Sequence, residues 1–305
     1  MKFGKLHNIS GVNFTLPKDH SDNELVLSKL PARDKKPQIF VGCTGWSMKE
    51  WVGNVYPKGT KTANFLREYV KQFNTIELNT THYRIPNEAT ILKWKSAAPK
   101  DFHYCPKIPQ TISHSNDLGA SNDLTLRFCE AISGLEENLG CSFMQLPPYF
   151  AYNRLPILER FLQKWNSHLP LSIEIRHESW FNTPRYFDEL SEMLKAYNIA
   201  LVITDVAGRR DVLHQRLTNG MAVVRFVGNG LHPTDYERAD AWIDKLKDWL
   251  SKGLHHIYFF PHQPDNILAP EMTQYITNKI ATETDLIIRG PKLGEEQDGA
   301  QMSLF

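Results

Sequence analysis

The chain has 305 residues, with 35 Lys and Arg against 34 Asp and Glu, a formal net charge of +1 and 41% hydrophobic residues. That length can bury one large α/β core or two smaller ones. The near-neutral balance argues against a surface that coats itself with nucleic acid, but allows a local positive site and leaves direct nucleic-acid contact open. No apolar run approaches the roughly 20 residues needed to cross a bilayer. The start, Met1 to His7, lacks the apolar core of a signal peptide, so a cytoplasmic location with no membrane partner is expected. Cys43, Cys105, Cys129 and Cys141 are widely spaced with no Cys-x-x-Cys pair, which fits buried thiols better than disulfides or structural zinc.

Residues 1–36 mix Pro, Asp, Asn and Lys with short apolar pieces and read as an N-terminal extension. From Gln38-Ile39-Phe40-Val41-Gly42, a first strand, apolar runs then alternate with helical patterns. A helix is expected near Thr62 to Lys71, a second strand at Asn74 to Leu78, and a helix from Asn87 to Ala98. The third strand is Phe102 to Pro106, followed by a long amphipathic helix from Asn122 to Leu139. Cys141 to Leu146 gives the fourth strand, with a helix near Arg154 to Asn166. Leu171 to Arg176 gives the fifth, before a helix opening at Thr183-Pro184, a cap followed by proline in the first turn. Ile199 to Thr204 is the sixth and Met221 to Val227 the seventh, with a short or distorted crossover over Val206 to Asn219. A helix from Ala239 to Leu250, an eighth strand at His255 to Phe260 and a last helix from Pro270 to Ala281 complete the pattern. Eight short apolar strands with helical crossovers predict a TIM-like (β/α)8 barrel. An open doubly wound sheet is disfavoured because no Gly-x-Gly-x-x-Gly follows the first strand. The expected organisation is an extension over 1–36, a barrel over 37–284 and a flexible tail over 285–305.

In such a barrel, function gathers at the carboxyl ends of the strands. Those ends hold Thr44, Gly45 and Trp46; Glu77 and Asn79; Lys107; Gln145; Glu174, Arg176 and His177; Thr204 and Asp205; Arg225; and His262. Charged residues in a strand wall are costly unless they are paired or line a pocket. Glu77, Glu174, Arg176 and Arg225 therefore form either an ion-pair lattice that only holds the barrel together or a network that orients a ligand. The expected catalytic set is Glu77, Lys107, Glu174 and Asp205, with Glu77 and Glu174 as acid and base and Lys107, Arg176 and Arg225 holding a phosphate or carboxylate. Trp46, Asn79, Tyr83, Arg84, His114, Gln145, Arg176, His177, Trp180 and Arg225 are the expected ligand contacts. Rings such as Trp46, Tyr83 and Trp180 suit a flat or cyclic polar ligand. A catalytic divalent metal is conceivable from His82, His114, His177, His262 and the carboxylates, but the nearby cations oppose it. The cofactor is left unknown by the sequence, and no nucleophile elbow or phosphate loop fixes a reaction.

Gly42-Cys43-Thr44-Gly45-Trp46-Ser47 with Trp51 and Tyr56-Pro57 resembles the opening motif of the DUF72 (YecE-like) family. So do Phe73 to Arg84, Lys107, His114, Gln145-Leu146-Pro147-Pro148, Glu174 to Trp180, Asp205 and Arg225. The resemblance covers about Ile39 to Ala281 and implies a TIM-like barrel with a pocket, but no reaction. Three places depart from the family's usual pattern. His82 stands where a Phe is usual, Arg225-Phe226-Val227-Gly228 lacks a His before the Gly, and Phe260-Pro261-His262-Gln263 replaces a Phe-Asn-Asn run. At the C-terminus, Gly290 to Ala300 reads as a tether. It ends in Gln301-Met302-Ser303-Leu304-Phe305, which resembles the peptides that dock bacterial replication and repair proteins on the DNA sliding clamp. Gln301, Met302, Leu304 and Phe305 would make that contact, or Leu304 and Phe305 would fold back on the domain. Three functions follow: an enzyme on a nucleic-acid component or small phosphorylated ligand linked to replication or repair, a non-catalytic adaptor or sensor on the clamp, or a carbohydrate or sugar-phosphate enzyme.

Overall fold

The computed structural model describes residues 4–32 and 36–294. Its strands are β1 (Gln38–Val41), β2 (Thr75–Leu78), β3 (His103–Pro106), β4 (Ser142–Gln145), β5 (Leu171–Glu174), β6 (Ala200–Asp205), β7 (Met221–Val227) and β8 (His256–His262). All pair in parallel, in a six-stranded sheet of order β1-β8-β7-β6-β5-β4 and a two-stranded sheet of β2 and β3. Parallel strands need crossovers, which cover both faces and bury even the polar residues the strands carry. Every residue of β2, β4, β5 and β6 is accordingly buried.

The helices are α1 (Asp22–Ser28), α2 (Phe65–Gln72), α3 (Glu88–Ala97), α4 (Gln110–Ser113), α5 (Leu124–Ser133), α6 (Leu155–Lys164), α7 (Ser179–Asn182), α8 (Pro184–Ala196), α9 (Pro233–Ser251) and α10 (Ala269–Glu283). Where one helix was expected over Asn122 to Leu139, α5 stops at Ser133 and a separate 3-10 turn covers Glu136–Asn138. Glu136 sits at φ 50°, a left-handed conformation that cannot continue an α-helix. Proline opens α8 and α9 in the first turn, where its missing N–H costs nothing.

Two seams separate the sheets, and side chains cross one of them. Between β1 and β2, Asn74 accepts from Val41 N at 2.9 Å and donates to Ile39 O at 2.8 Å. The Tyr69 hydroxyl accepts from Cys43 N at 2.9 Å and donates to Thr75 O at 3.0 Å, while Glu77 N donates to Cys43 O at 3.0 Å. Gly42 permits this approach, since a Cβ there would lie 2.0 Å from Thr75 O. Between β3 and β4 the backbone itself bonds: Gly140 N to Tyr104 O and Ile108 N to Phe143 O, each at 2.8 Å.

The crossover between β6 and β7 has only a 3-10 turn, Arg210–Val212, as the sequence pattern anticipated. The N-terminal extension complements it. Val26 and Leu27 of α1 join a buried cluster with Leu213, Leu217 and Trp249. Asn23 donates to Gln215 O at 2.8 Å and accepts from Leu217 N at 2.8 Å. Asp22 receives Arg216 Nη2 at 2.5 Å. Among the described residues no helix is long and apolar enough to cross a membrane. All four cysteines are free and buried.

Candidate functional site

The carboxyl ends of β2, β3, β4, β5, β7 and β8 deliver one connected polar cluster. Arg225, 2% exposed, donates from Nε to Glu77 Oε2 at 2.8 Å and from Nη2 to Glu77 Oε1 at 2.9 Å, a two-pronged pair. Its Nη1 donates to Glu174 Oε2 at 2.5 Å. The other Glu174 oxygen accepts from Arg176 Nε at 2.6 Å. Asn79 donates to Glu77 Oε1 at 3.0 Å, and His262 Nε2 lies 3.1 Å from Glu77 Oε2. Lys107 donates to Gln145 Oε1 at 3.2 Å, and Arg225 Nη1 reaches the same oxygen at 3.5 Å.

The electrostatics follow from this packing. Burial pushes both carboxyls up, but the guanidinium groups outweigh it. Glu77 is held well below the usual range by Arg225 and His262, and Glu174 is held at about 2 by Arg176 and Arg225. Both carboxylates are therefore ionised, with every oxygen already accepting. Lys107 differs: it is 6% exposed, and among the described residues its ammonium donates to the neutral Gln145 amide rather than to a carboxylate. Burial and then Arg225 bring its ammonium down to about 8. With Glu77 and Glu174 against Arg176, Arg225 and Lys107, two negative charges face three positive ones, an excess of one positive charge.

Of the residues singled out in the sequence, Glu77, Asn79, Lys107, Gln145, Glu174, Arg176 and Arg225 thus come together. His114 stands beside them: burial, Lys107 and Arg176 lower its imidazole, and its ring packs 5.5 Å from that of His82. Tyr83, 72% exposed, and Arg84 lie on the outside of the same loop. Trp46 packs edge-on to Trp94 at 6.3 Å. His177 is turned to Ser179, with Nδ1 2.9 Å from its hydroxyl.

Asp205 and Trp180 fall elsewhere. Side chains alternate across a strand. Thr204 sits opposite Arg225 in the ladder, so Asp205 points to the helix layer. There it accepts from Trp242 Nε1 at 2.7 Å and pairs with Arg238 at 2.8 Å and with Arg210. Trp180 is fully buried in the apolar layer, its indole N–H donating to Phe150 O at 2.7 Å. Gln301, Met302, Leu304 and Phe305 lie outside the described residues. His262 is the cluster member left out of the expected site residues, although its place at the end of β8 was the available signal. Among the described residues no group of three or more His, Cys, Asp and Glu could hold a metal ion.

Parallel strands, flanking helices and charged side chains gathered at the strand ends define an α/β protein built around a buried ion-pair centre. The DUF72 family model, described as a protein of unknown function, matches residues 40–297, and the chain belongs to that family. It is 30% identical over 252 residues to the UPF0759 protein YecE of Escherichia coli K12, spanning 77% of this chain and 89% of that protein. Identity to the UPF0759 protein YunF of Bacillus subtilis is 26% over 165 residues, or 51% of this chain and 56% of that one. The crystal structure of a DUF72 family protein from Enterococcus faecalis V583 matches with a TM-score of 0.64 at 18% identity, covering 80% of this chain and 98% of that one. That likeness bears on the fold alone.

Proposed function

We propose that the strands close into a (β/α)8 barrel whose mouth binds a small anionic ligand, a phosphate or carboxylate ester, with Lys107 as the anion-contacting group. Closure is supported by the hydrogen bonds across both seams. The observation that carries the ligand reading is Lys107, a buried ammonium bonded to a neutral amide beside two arginines. Glu77 and Glu174 offset the Lys107 charge only in part, since each is already paired with an arginine, and a bound anion would balance the one remaining positive charge. Glu77 and Glu174 are saturated by Arg225 and Arg176 and so hold the cationic groups in place. Proton transfer by either would require its arginine to move. Asp205, turned to α9, serves as a structural anchor in this reading.

The chemistry of such a mouth suits a nucleic-acid component or another small phosphorylated molecule. The sequence Gln301-Met302-Ser303-Leu304-Phe305 supports a link to the DNA sliding clamp, which would make the barrel an enzyme or sensor working beside replication or repair. Calorimetric titration with inorganic phosphate, pyrophosphate and nucleoside monophosphates tests the pocket. Loss of one charge-assisted hydrogen bond is worth about 1.5–3 kcal/mol, so Lys107→Met is expected to bind roughly ten- to a hundredfold more weakly. Equal binding by both proteins, or none by the parent, would remove the anion site. Titration of the full chain and of a chain lacking residues 301–305 into the host's clamp tests the tail separately.

A further inference from the structure

We infer that His262 is a hydrogen-bond-accepting ligand site, its Nδ1 serving a cavity of about 300 Å3 that takes a small hydroxyl-bearing molecule such as a sugar or the sugar part of a phosphate ester. The cavity lies at the carboxyl ends of β1, β7 and β8, and is lined by Lys5, Thr44, Gly228, His262, Asp265 and Asn266 among others. Its volume is at the lower end for ligand sites and matches a small polar molecule.

The orientation of the imidazole follows from its neighbours. Glu77 is ionised and can only accept, so the bond between His262 Nε2 and Glu77 Oε2 at 3.1 Å places a hydrogen on Nε2. Burial lowers the His262 imidazole, and Arg225 opposes its charging while Glu77 and Glu174 favour it, so the neutral ring is favoured more than in a free imidazole. A neutral ring protonated at Nε2 carries its lone pair on Nδ1, for which no partner exists among the described residues. Glu77 in turn is clamped by Arg225 and Asn79, so the ring is held from behind as a base is held by its orienting carboxylate.

Asn266 lines the same cavity, and its Oδ1, shielded from solvent, has no hydrogen-bond partner among the described residues, so a turn of that side chain would bring a further acceptor to the cavity. Asp265 and Asn266 both adopt left-handed backbone, with φ 56° and 62°, a conformation that Asp and Asn take more readily than other non-glycine residues and that shapes this wall of the cavity. His262 Nδ1, an acceptor on the cavity wall, suits a ligand with a hydroxyl donor. The ligand hydroxyl donates a hydrogen bond to Nδ1 and keeps its proton, while ionised Glu77 holds Nε2–H behind the ring.

This inference rests on the mouth being a ligand site, as proposed above, but not on Lys107 holding an anion. The test uses the full-length chain labelled with 15N at histidine, with the His262 ring signals assigned by their absence in His262→Asn. At pH 7 a neutral ring protonated on Nε2 is expected, moving saturably as D-ribose or D-ribose 5-phosphate is added. A ring protonated on Nδ1, an imidazolium, or a ring unmoved by both sugars would overturn the inference. Phosphate binding that depends on Lys107 while the His262 ring stays still would leave the anion site standing and remove this one. The reverse pattern would remove the anion site alone.

Discussion

Lys107 and Glu174 sit in one cluster with opposite consequences for stability. The Lys107 ammonium is brought from its ordinary 10.5 down to about 8, so between these values the unfolded chain holds a proton that the folded chain has released. Stability therefore rises with pH across that window, and below it the buried charge costs on the order of 3 kcal/mol. Lys107→Met is expected to melt in more urea than the parent at pH 7, with the gain shrinking as pH approaches 10.5. A variant less stable at pH 7 would show that the Gln145 bond outweighs the burial cost. Glu174 behaves in reverse. Held at about 2 against an ordinary 4.5, it stabilises the fold above 4.5, and that contribution drains away as pH falls toward 2. Glu174→Gln leaves Arg176 and Arg225 short of an acceptor, and a loss of roughly 3–5 kcal/mol is expected at pH 7. The acid unfolding curve of that variant should be flatter than the parent's between pH 4.5 and 2. At this scale the sequence was informative about which residues meet, because Glu77, Lys107, Gln145, Glu174, Arg176 and Arg225 all stand at or just past a strand end. It was silent on which way each faces. Asp205 differs from Thr204 by one position, and only the ladder register with Arg225 decides that it turns to Trp242.

Elements were legible where burial imposes a period. All eight strands fall where the sequence pattern places them, because strands covered on both faces carry mostly apolar residues, with the charged ones paired inside. Helix α1 was not legible: its apolar residues are few, and the surface that makes it stable is supplied by the distant residues 213–217. The seams were equally invisible, since hydrogen bonds from Asn74 and Tyr69 replace part of a strand ladder and no local pattern marks them. They make a sharp prediction. Asn74→Ala would leave Val41 N–H and Ile39 C=O unpaired in a site only 7% exposed, a cost of about 1–3 kcal/mol for each orphaned group. Gly42→Ala would push a methyl to 2.0 Å from Thr75 O, backbone that cannot swing aside, and so force β1 and β2 apart. Denaturant melts of both variants measure this, and the alanine at 42 is expected to be the more damaging. If both melted like the parent, the seam would not be a fixed part of the fold.

For the whole molecule, the point at issue is whether the N-terminal extension is an appendage or a structural layer. The crossover after β6 lacks the α-helix that follows most other strands, so part of the core there needs a cover from elsewhere. Helix α1 supplies it: Val26 and Leu27 are buried at 9% and 4% exposure beside Leu213, Leu217 and Trp249. Burial of such a side chain is worth about 1.5–3 kcal/mol, and Trp249 and Lys245 of α9 are tied to Asp19 as well. Arg216, 1% exposed, would lose Asp22 and keep only Asp188, which is half exposed. Against a typical total stability of about 5–15 kcal/mol, removing all of this takes a large share. A chain beginning at Pro31 is expected to melt well below the parent and to lose more than Leu27→Ala, whose cavity should cost about 2–5 kcal/mol. Calorimetric melting of the parent, the truncated chain and Leu27→Ala makes the comparison. A truncated chain that melts with the parent would mean that the core beneath Leu213 and Leu217 closes without α1. The extension would then be free to serve the mouth, where Lys5 already lines the His262 cavity.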